Sequence, residues 1–317
     1  MQAEQIKKVV ISGAGTMGTS MAQIFAAYGY ETVLHNHREV TLQKAQKMID
    51  LNQQSLVVSG ELTQAASDAV KGRITLTADY SCYRDCDIVV ESIVENMDVK
   101  HEFWKQISAL TRDDAILATN TSGLSITEIA TAVKNPERFC GMHWFNPPHL
   151  VPLVEVIKGE KTEEATAQAV MELARRIGKK PVLVKKDAKG FIGNRLQLAV
   201  LREAMYIVQS GIASAEDVDN AIKYGIGFRY ACVGPLETAD LGGLDIFYHV
   251  AEYLVPDLDS SKEIPPLLKE KFEKGEYGVK AGRGFYDYSG SKGEEAIKKR
   301  DANFIKVYNA LYKDKKD

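Results

Sequence analysis

The sequence predicts a doubly wound α/β domain followed by an all-α domain. Two observations carry this. Between residues 9 and 184, short β-rich runs alternate with helical stretches, the pattern of a mostly parallel sheet covered on both faces. After Lys185-Lys186-Asp187 the strand runs stop and helical periodicity takes over through Phe191, Leu196, Ala199, Val200 and Ala204. A chain of 317 residues is also too long for one core, so the boundary is placed near 187, giving domains 1–187 and 188–317.

The elements follow in order. Val9-Val10-Ile11 is a strand, then a glycine loop and a helix through Met21, Ile24, Phe25 and Ala26. Further strands are expected at Glu31–Leu34, Ile74–Leu76, Ile88–Val90, Ile116–Ala118, Phe139–Met142, Leu153–Ile157 and Val182–Val184. In the second domain Ser214-Ala215-Glu216-Asp217 reads as a helix start, with Ser214 as cap and acids in the first turn. The Lys-rich tail carries Phe304, Ile305, Tyr308 and Leu311, the weak apolar stripe of a terminal helix.

Charge and composition narrow the function classes. A net charge of -3 gives no field to hold nucleic acid or an anionic membrane, so phosphates on any ligand must be held locally. Cys82, Cys86, Cys140 and Cys232 lack the paired spacing of a zinc site, and no metal is expected. No apolar run is long enough to span a bilayer, and Met1 to Lys8 do not read as a signal peptide. The default expectation is a reduced, cytoplasmic setting.

Val9-Val10-Ile11-Ser12-Gly13-Ala14-Gly15-Thr16-Met17-Gly18 runs from a strand through G-x-G-x-x-G into a helix. Gly13 would make the tight turn, Gly15 would let the backbone approach a pyrophosphate, and Gly18 would let helix and strand pack closely. Thr16 and Met17 open the helix, whose free N–H groups face the phosphates. In this context the motif predicts a Rossmann dinucleotide-binding domain. The second strand ends in Leu34-His35-Asn36-His37-Arg38, with Asn36 where an acid usually holds the ribose. Two readings stand. Asn36 bonds the ribose of NAD and Arg38 is solvated, or the missing carboxylate admits the 2′-phosphate of NADP and Arg38 attracts it.

The segment from Gly141 to Ile157 contains a histidine and a glutamate embedded in apolar strands, His143 and Glu155. A buried carboxylate is costly unless paired. Both lie six residues from His149, so an antiparallel return of the proline-rich link would set them opposite each other. Such a pair makes a general base, because the carboxylate fixes the tautomer and stabilises the imidazolium. His35, His37, His101, His149 and His249 have no embedded acid nearby and are read as ordinary histidines.

The ordered set of motifs resembles the L-3-hydroxyacyl-CoA dehydrogenase family. After the glycine loop it includes Val90-Glu91-Ser92-Ile93-Val94-Glu95-Asn96, Thr119-Asn120-Thr121-Ser122, Met142-His143-Trp144-Phe145-Asn146-Pro147, Gly190-Phe191-Ile192-Gly193-Asn194-Arg195 and Gly282-Arg283-Gly284-Phe285-Tyr286. The resemblance implies hydride transfer between NAD(P) and a 3-hydroxyl group. It makes His143 the base and Glu155 its partner, with Ser122, Asn146 and Asn194 binding the reacting oxygen and the neighbouring carbonyl. Ser92, Glu95, Lys100 and Asn120 would line the nicotinamide side of the cofactor. It also implies a homodimer formed through the C-terminal domain.

The match departs from enzymes of CoA esters in two places. Residues 50–60 hold no Lys or Arg where the CoA phosphates would lie. The run from Gly225 to Thr238 is more like the L-gulonate dehydrogenase and lambda-crystallin branch, and His-Trp-Phe-Asn-Pro-Pro-His is similar to a pyridine-carboxylate dehydrogenase branch. Arg229 is then a candidate clamp for a substrate carboxylate, or one half of a structural ion pair. The substrate reading is a small free 3-hydroxy acid, with a short-chain 3-hydroxyacyl-CoA such as 3-hydroxybutyryl-CoA as the alternative. A remote alternative is a crystallin-like dinucleotide-binding protein without turnover.

Overall fold

The computed structural model describes residues 1–313; residues 314–317, the end of the second expected domain, lie outside the described residues. The chain divides into two compact units, 1–194 and 195–317. The division falls after 187 because the turn at 188–193 is tied to the first unit: the amides of Ile192 and Gly193 donate to Glu155.

The first unit is built on an eight-stranded sheet. Its strands are β1 (Lys8–Ser12), β2 (Glu31–His35), β3 (Ile74–Thr77), β4 (Ile88–Glu91), β5 (Ile116–Thr119), β6 (Phe139–Trp144), β7 (Leu153–Ile157) and β8 (Lys180–Val184). They lie in the order β3-β2-β1-β4-β5-β6-β7-β8, all neighbours parallel except β6 and β7. The helices are α1 (Thr16–Ala27), α2 (Glu39–Val58), α3 (Gln64–Gly72), α4 (Met97–Leu110), α5 (Ile126–Ala130) and α6 (Glu164–Arg176). Asn96 caps α4 through the Val99 amide, and Ser125 caps α5 through the Glu128 amide.

The central strands read as unbroken apolar runs because both faces are covered. The pleat sorts their side chains: Val9, Ile11, Val90 and Ala118 join one buried cluster, while Val10, Val89 and Leu117 join the other. Side chains alternate, so a one-residue slip would exchange the two layers.

The second unit is helical: α7 (Gly193–Gln209), which starts at the boundary, then α8 (Ala215–Ala221), α9 (Gly227–Tyr230), α10 (Pro235–Gly242), α11 (Leu244–Leu254), α12 (Pro266–Glu273) and α13 (Lys292–Leu311). Ser214 caps α8 through the Asp217 amide, as the sequence predicts. The unit has almost no interior. Among its described residues Met205 is the one hydrophobic side chain that is buried, while Phe228, Leu236, Leu241, Leu244, Tyr248 and Tyr253 are exposed. No helix of the described residues is long and apolar enough to cross a membrane.

Candidate active site

At the carboxyl ends of the strands of the first unit lies a cleft of about 960 Å³. Its floor is the glycine loop between β1 and α1. Gly13 has φ 104° and a Cβ there would sit 2.3 Å from the Ser92 carbonyl oxygen, so only glycine fits the turn. A Cβ on Gly18 would lie 1.8 Å from the Gly13 oxygen, whereas at Gly15 nothing stands within 4 Å. The loop is therefore tight beneath and open where Gly15, Thr16 and Met17 line the cleft. No side chain caps α1 at its N-terminus, so its first amides are free for an anion. These features fit a dinucleotide pyrophosphate.

Asn36 and Arg38 line one end of the cleft. The Asn36 side-chain oxygen accepts the Arg38 amide at 2.9 Å, which leaves its Nδ2 donor free. Beside them His35 is buried and shares a 2.8 Å hydrogen bond with the Tyr83 hydroxyl. Burial pushes its imidazole down to about 4, so it stays neutral near pH 7.

At the other end stand Ser92, Glu95, Asn120 and Ser122. They form one hydrogen-bonded wall. Asn120 donates to the Ser92 hydroxyl at 3.2 Å and accepts the Trp144 amide at 3.0 Å. Glu95 accepts the Thr121 hydroxyl at 2.5 Å and the Ser122 amide at 2.8 Å. The Ser122 carbonyl accepts the Asn194 side chain at 2.9 Å.

Lys100 corrects the sequence reading. It does not line the cleft: its side chain is fully buried behind the wall, its Nζ 2.5 Å from Glu91 and 3.2 Å from the Asn120 carbonyl. Glu91 also accepts the Ile93 amide, the Trp104 indole and the Thr119 hydroxyl. This pair ties the 91–95 turn to the 119–122 turn. Sequence reasoning missed Glu91, although a related signal had marked Glu155: an acid carried on an apolar strand, at its end in β4 and at its middle in β7. Asp187, also missed, holds Ser125 and Thr127 at 2.6 and 2.8 Å.

β6 and β7 pair antiparallel with His143 opposite Glu155. Both are buried, and His143 Nδ1 lies 2.7 Å from Glu155 Oε2. The other carboxylate oxygen accepts the amides of Ile192 and Gly193 at 2.9 and 2.8 Å. Gly190 and Phe191, at φ 75° and 51°, turn the backbone so that both amides face it. A left-handed Phe costs of order 1 kcal/mol, which the two charge-assisted bonds offset. Burial pushes the Glu155 carboxyl up, but His143 and the Gly193 and Ile192 amides outweigh this and hold it below its ordinary value. An ionised Glu155 requires the proton on Nδ1 and leaves Nε2 as the acceptor. The arrangement can take a proton from an alcohol. Asn146 is exposed just beyond β6, before the cis bond to Pro147, and does not line the cleft. Arg229 is exposed on α9 and makes no ion pair with a described residue of its own unit.

Two adjoining family models match almost end to end: the NAD binding domain of 3-hydroxyacyl-CoA dehydrogenase over residues 8–188 and its C-terminal domain over 190–288. The chain belongs to the 3-hydroxyacyl-CoA dehydrogenase family. Among its relatives, a 5-formyl-3-hydroxy-2-methylpyridine 4-carboxylate 5-dehydrogenase of Mesorhizobium japonicum is 35% identical, over 96% of this chain and 98% of that protein. A probable 3-hydroxybutyryl-CoA dehydrogenase of Deinococcus radiodurans is 40% identical, over 89% of this chain and all of its own. Among solved structures, an NAD+-dependent 5-dehydrogenase of the same pyridine acid superposes with a TM-score of 0.89 at 34% identity, covering 98% of this chain and 100% of that one. The (S)-3-hydroxybutyryl-CoA dehydrogenase of Ralstonia eutropha gives 0.77 at 35% identity, over 90% of this chain and 100% of that one. These family members carry the names of enzymes, which tells against a crystallin-like protein without turnover.

Proposed function

We propose that this protein is an NAD(P)-dependent dehydrogenase that oxidises the 3-hydroxyl of a small free 3-hydroxy acid, or reduces the corresponding oxo acid. The observation that carries this reading is the His143–Glu155 pair at 2.7 Å, with Nε2 left to accept a proton. In the oxidative direction the hydroxyl proton would go to Nε2 as the alcohol carbon, giving up its hydride, becomes a C=O group. Glu155 stabilises the imidazolium. A bound nicotinamide would supply the acceptor for the C3 hydride; Ser92, Glu95 and Asn120 would hold it, with Lys100 supporting them from behind. Ser122 and Asn194 would orient the substrate oxygens, and Asn146, which lies outside the cofactor cleft, would reach them from the end of the strand that carries His143.

For the cofactor, the absence of an acid at Asn36 and the free Nδ2 donor support tolerance of NADP beside NAD. For the substrate, α2 has no basic residue in its last turn, which supports a free acid over a CoA ester, as does the Mesorhizobium relative, named for a free carboxylate. Arg229 would then clamp the carboxylate. The CoA reading draws on the relatives named 3-hydroxybutyryl-CoA dehydrogenase, with the exposed Lys44 and Lys47 of α2 meeting the CoA phosphates. A homodimer through the helical unit is supported by the apolar side chains that unit leaves exposed. Four unpaired cysteines suit a reduced cytoplasmic setting.

The test compares kcat/KM for 3-hydroxybutyrate-like acids and 3-hydroxybutyryl-CoA, with NAD and NADP, in the unmodified enzyme and in Arg229→Ala. A free-acid enzyme loses activity on the acid in the variant. A far better CoA ester, untouched by Arg229→Ala, overturns the free-acid reading.

A further inference from the structure

Between β6 and β7 the chain runs through Phe145, Asn146, Pro147, Pro148, His149, Leu150, Val151 and Pro152. Three prolines remove three amide donors, so the loop has few bonds with which to close itself. The amides of Leu150 and Val151 both go to the Pro147 carbonyl, at 3.1 and 3.0 Å, and the Pro152 carbonyl is met by Lys180. The carbonyls of Pro148 and Val151 receive no backbone donor among the described residues. Both are met by one side chain, Lys179, just before β8: its Nζ donates to Pro148 and, at 3.0 Å, to Val151.

Lys179 is only 7% exposed, and its Nζ lies 5.4 Å from the centre of the Trp144 ring, the residue after His143. No acid among the described residues pairs with it. An ammonium buried without a counter-ion is expensive, and a methionine would fill similar space without that cost. Burial pushes its amine down to about 8. What the lysine supplies is therefore the pair of donors.

The loop in turn touches the base. The Phe145 ring centre lies 4.6 Å from that of His143, and the ring fills the space against Gly193, where a Cβ would come within 2.6 Å of it. Gly193 is one of the two amides that hold Glu155. A shift of this loop therefore moves Phe145, and with it His143, Glu155 and the Gly193 turn.

We propose that Lys179 is a positioning residue for hydride transfer: by clamping the Pro148 and Val151 carbonyls it fixes the 145–152 loop and thereby the orientation of His143. This rests on the reading of His143 as the base. The cofactor cleft does not include Lys179, so its loss acts on the chemical step and not on dinucleotide binding.

The test uses Lys179→Met, which keeps the length and removes the donors, and Lys179→Gln, which keeps an N–H donor on a shorter arm. Steady-state kinetics and cofactor titration are combined with 19F spectra of protein labelled with 5-fluorotryptophan. The chain has two tryptophans, assigned by Trp144→Phe. The expected result for Lys179→Met is a kcat lower by roughly 10- to 100-fold with cofactor Kd within about twofold, since small misplacements of reacting groups cost rates of this order. The Trp144 resonance moves while that of Trp104 stays, and Lys179→Gln falls between. Unchanged kcat in either folded variant overturns the proposal, and so does a loss of cofactor affinity that matches the loss in kcat. If Lys179→Met does not fold, Lys179→Gln decides by the same criteria. Near-normal turnover in His143→Gln instead removes the base assignment, while the Trp144 resonance still reads whether Lys179 shapes the loop.

Discussion

His143 and Glu155 sit directly across an antiparallel register and share a buried 2.7 Å hydrogen bond, with two backbone amides on the far carboxylate oxygen. The imidazole can turn neither its plane nor its tautomer without breaking a bond to an ionised group. His143→Gln should keep cofactor affinity and lower kcat by roughly 10²- to 10⁴-fold, the usual contribution of a positioned acid–base group. Near-normal kcat in that variant sinks the assignment. Glu155→Gln should also lower kcat, because a neutral amide no longer stabilises the imidazolium.

The second prediction concerns the cofactor. Asn36→Asp places a negative charge where a 2′-phosphate would lie and should shift the ratio of kcat/KM values toward NAD. The measurement is that ratio in the two proteins. Strict rejection of NADP by the unmodified enzyme would make Arg38 a surface residue only.

Glu91 and Lys100 form a fully buried ion pair behind the cleft wall. Glu91→Gln removes the buried counter-charge and leaves the ammonium only the more distant, half-exposed Glu95 at 3.8 Å, and should cost about 3–5 kcal/mol of stability. The double change Glu91→Gln with Lys100→Met should recover much of that loss. Denaturant unfolding of the two variants beside the unmodified protein is the check, and equal midpoints for both altered proteins would count against the pairing.

Asp87 anchors the start of β1 by accepting the amides of Lys7 and Lys8 at 2.7 and 2.9 Å. Burial pushes its carboxyl up, but those amides and the Arg112 guanidinium outweigh it and hold it below the ordinary value of 3.8. A depressed carboxylate stabilises the fold above its unfolded pKa, and the contribution disappears as pH falls through the folded one. Asp87→Asn should therefore cost roughly 1.5–3 kcal/mol near neutrality, with the gap to the unmodified protein closing below pH 3.8. A gap that stays constant into acid would show that charge is not involved.

A helical unit whose described residues include one buried hydrophobic side chain has little to offset the entropy of ordering its own chain. Its thermal midpoint should rise with protein concentration, as mass action requires when a second copy completes the core. A midpoint independent of concentration, with a monomer in sedimentation, would contradict the homodimer.

The eight strands, the helical second half and the glycine loop were legible in the sequence, and the His143–Glu155 pairing was legible as a possibility. These signals are local: apolar runs, a turn that only glycine can make, and a histidine and a glutamate at equal spacing from the middle of a link. The antiparallel return was legible as an arrangement the link could make, because an embedded acid needs a partner and His143 lies at equal spacing across His149. Tertiary structure alone decided the rest. Lys100 reads as a cleft residue along the chain, yet folding turns it inward onto Glu91, because the turns after β4 and β5 become neighbours only in the sheet. Nothing along the chain singles out Lys179, which the sequence shows only as the first of two adjacent lysines. Its role exists only because β8 lies next to β7 and brings the ammonium under two carbonyls that no backbone amide can reach.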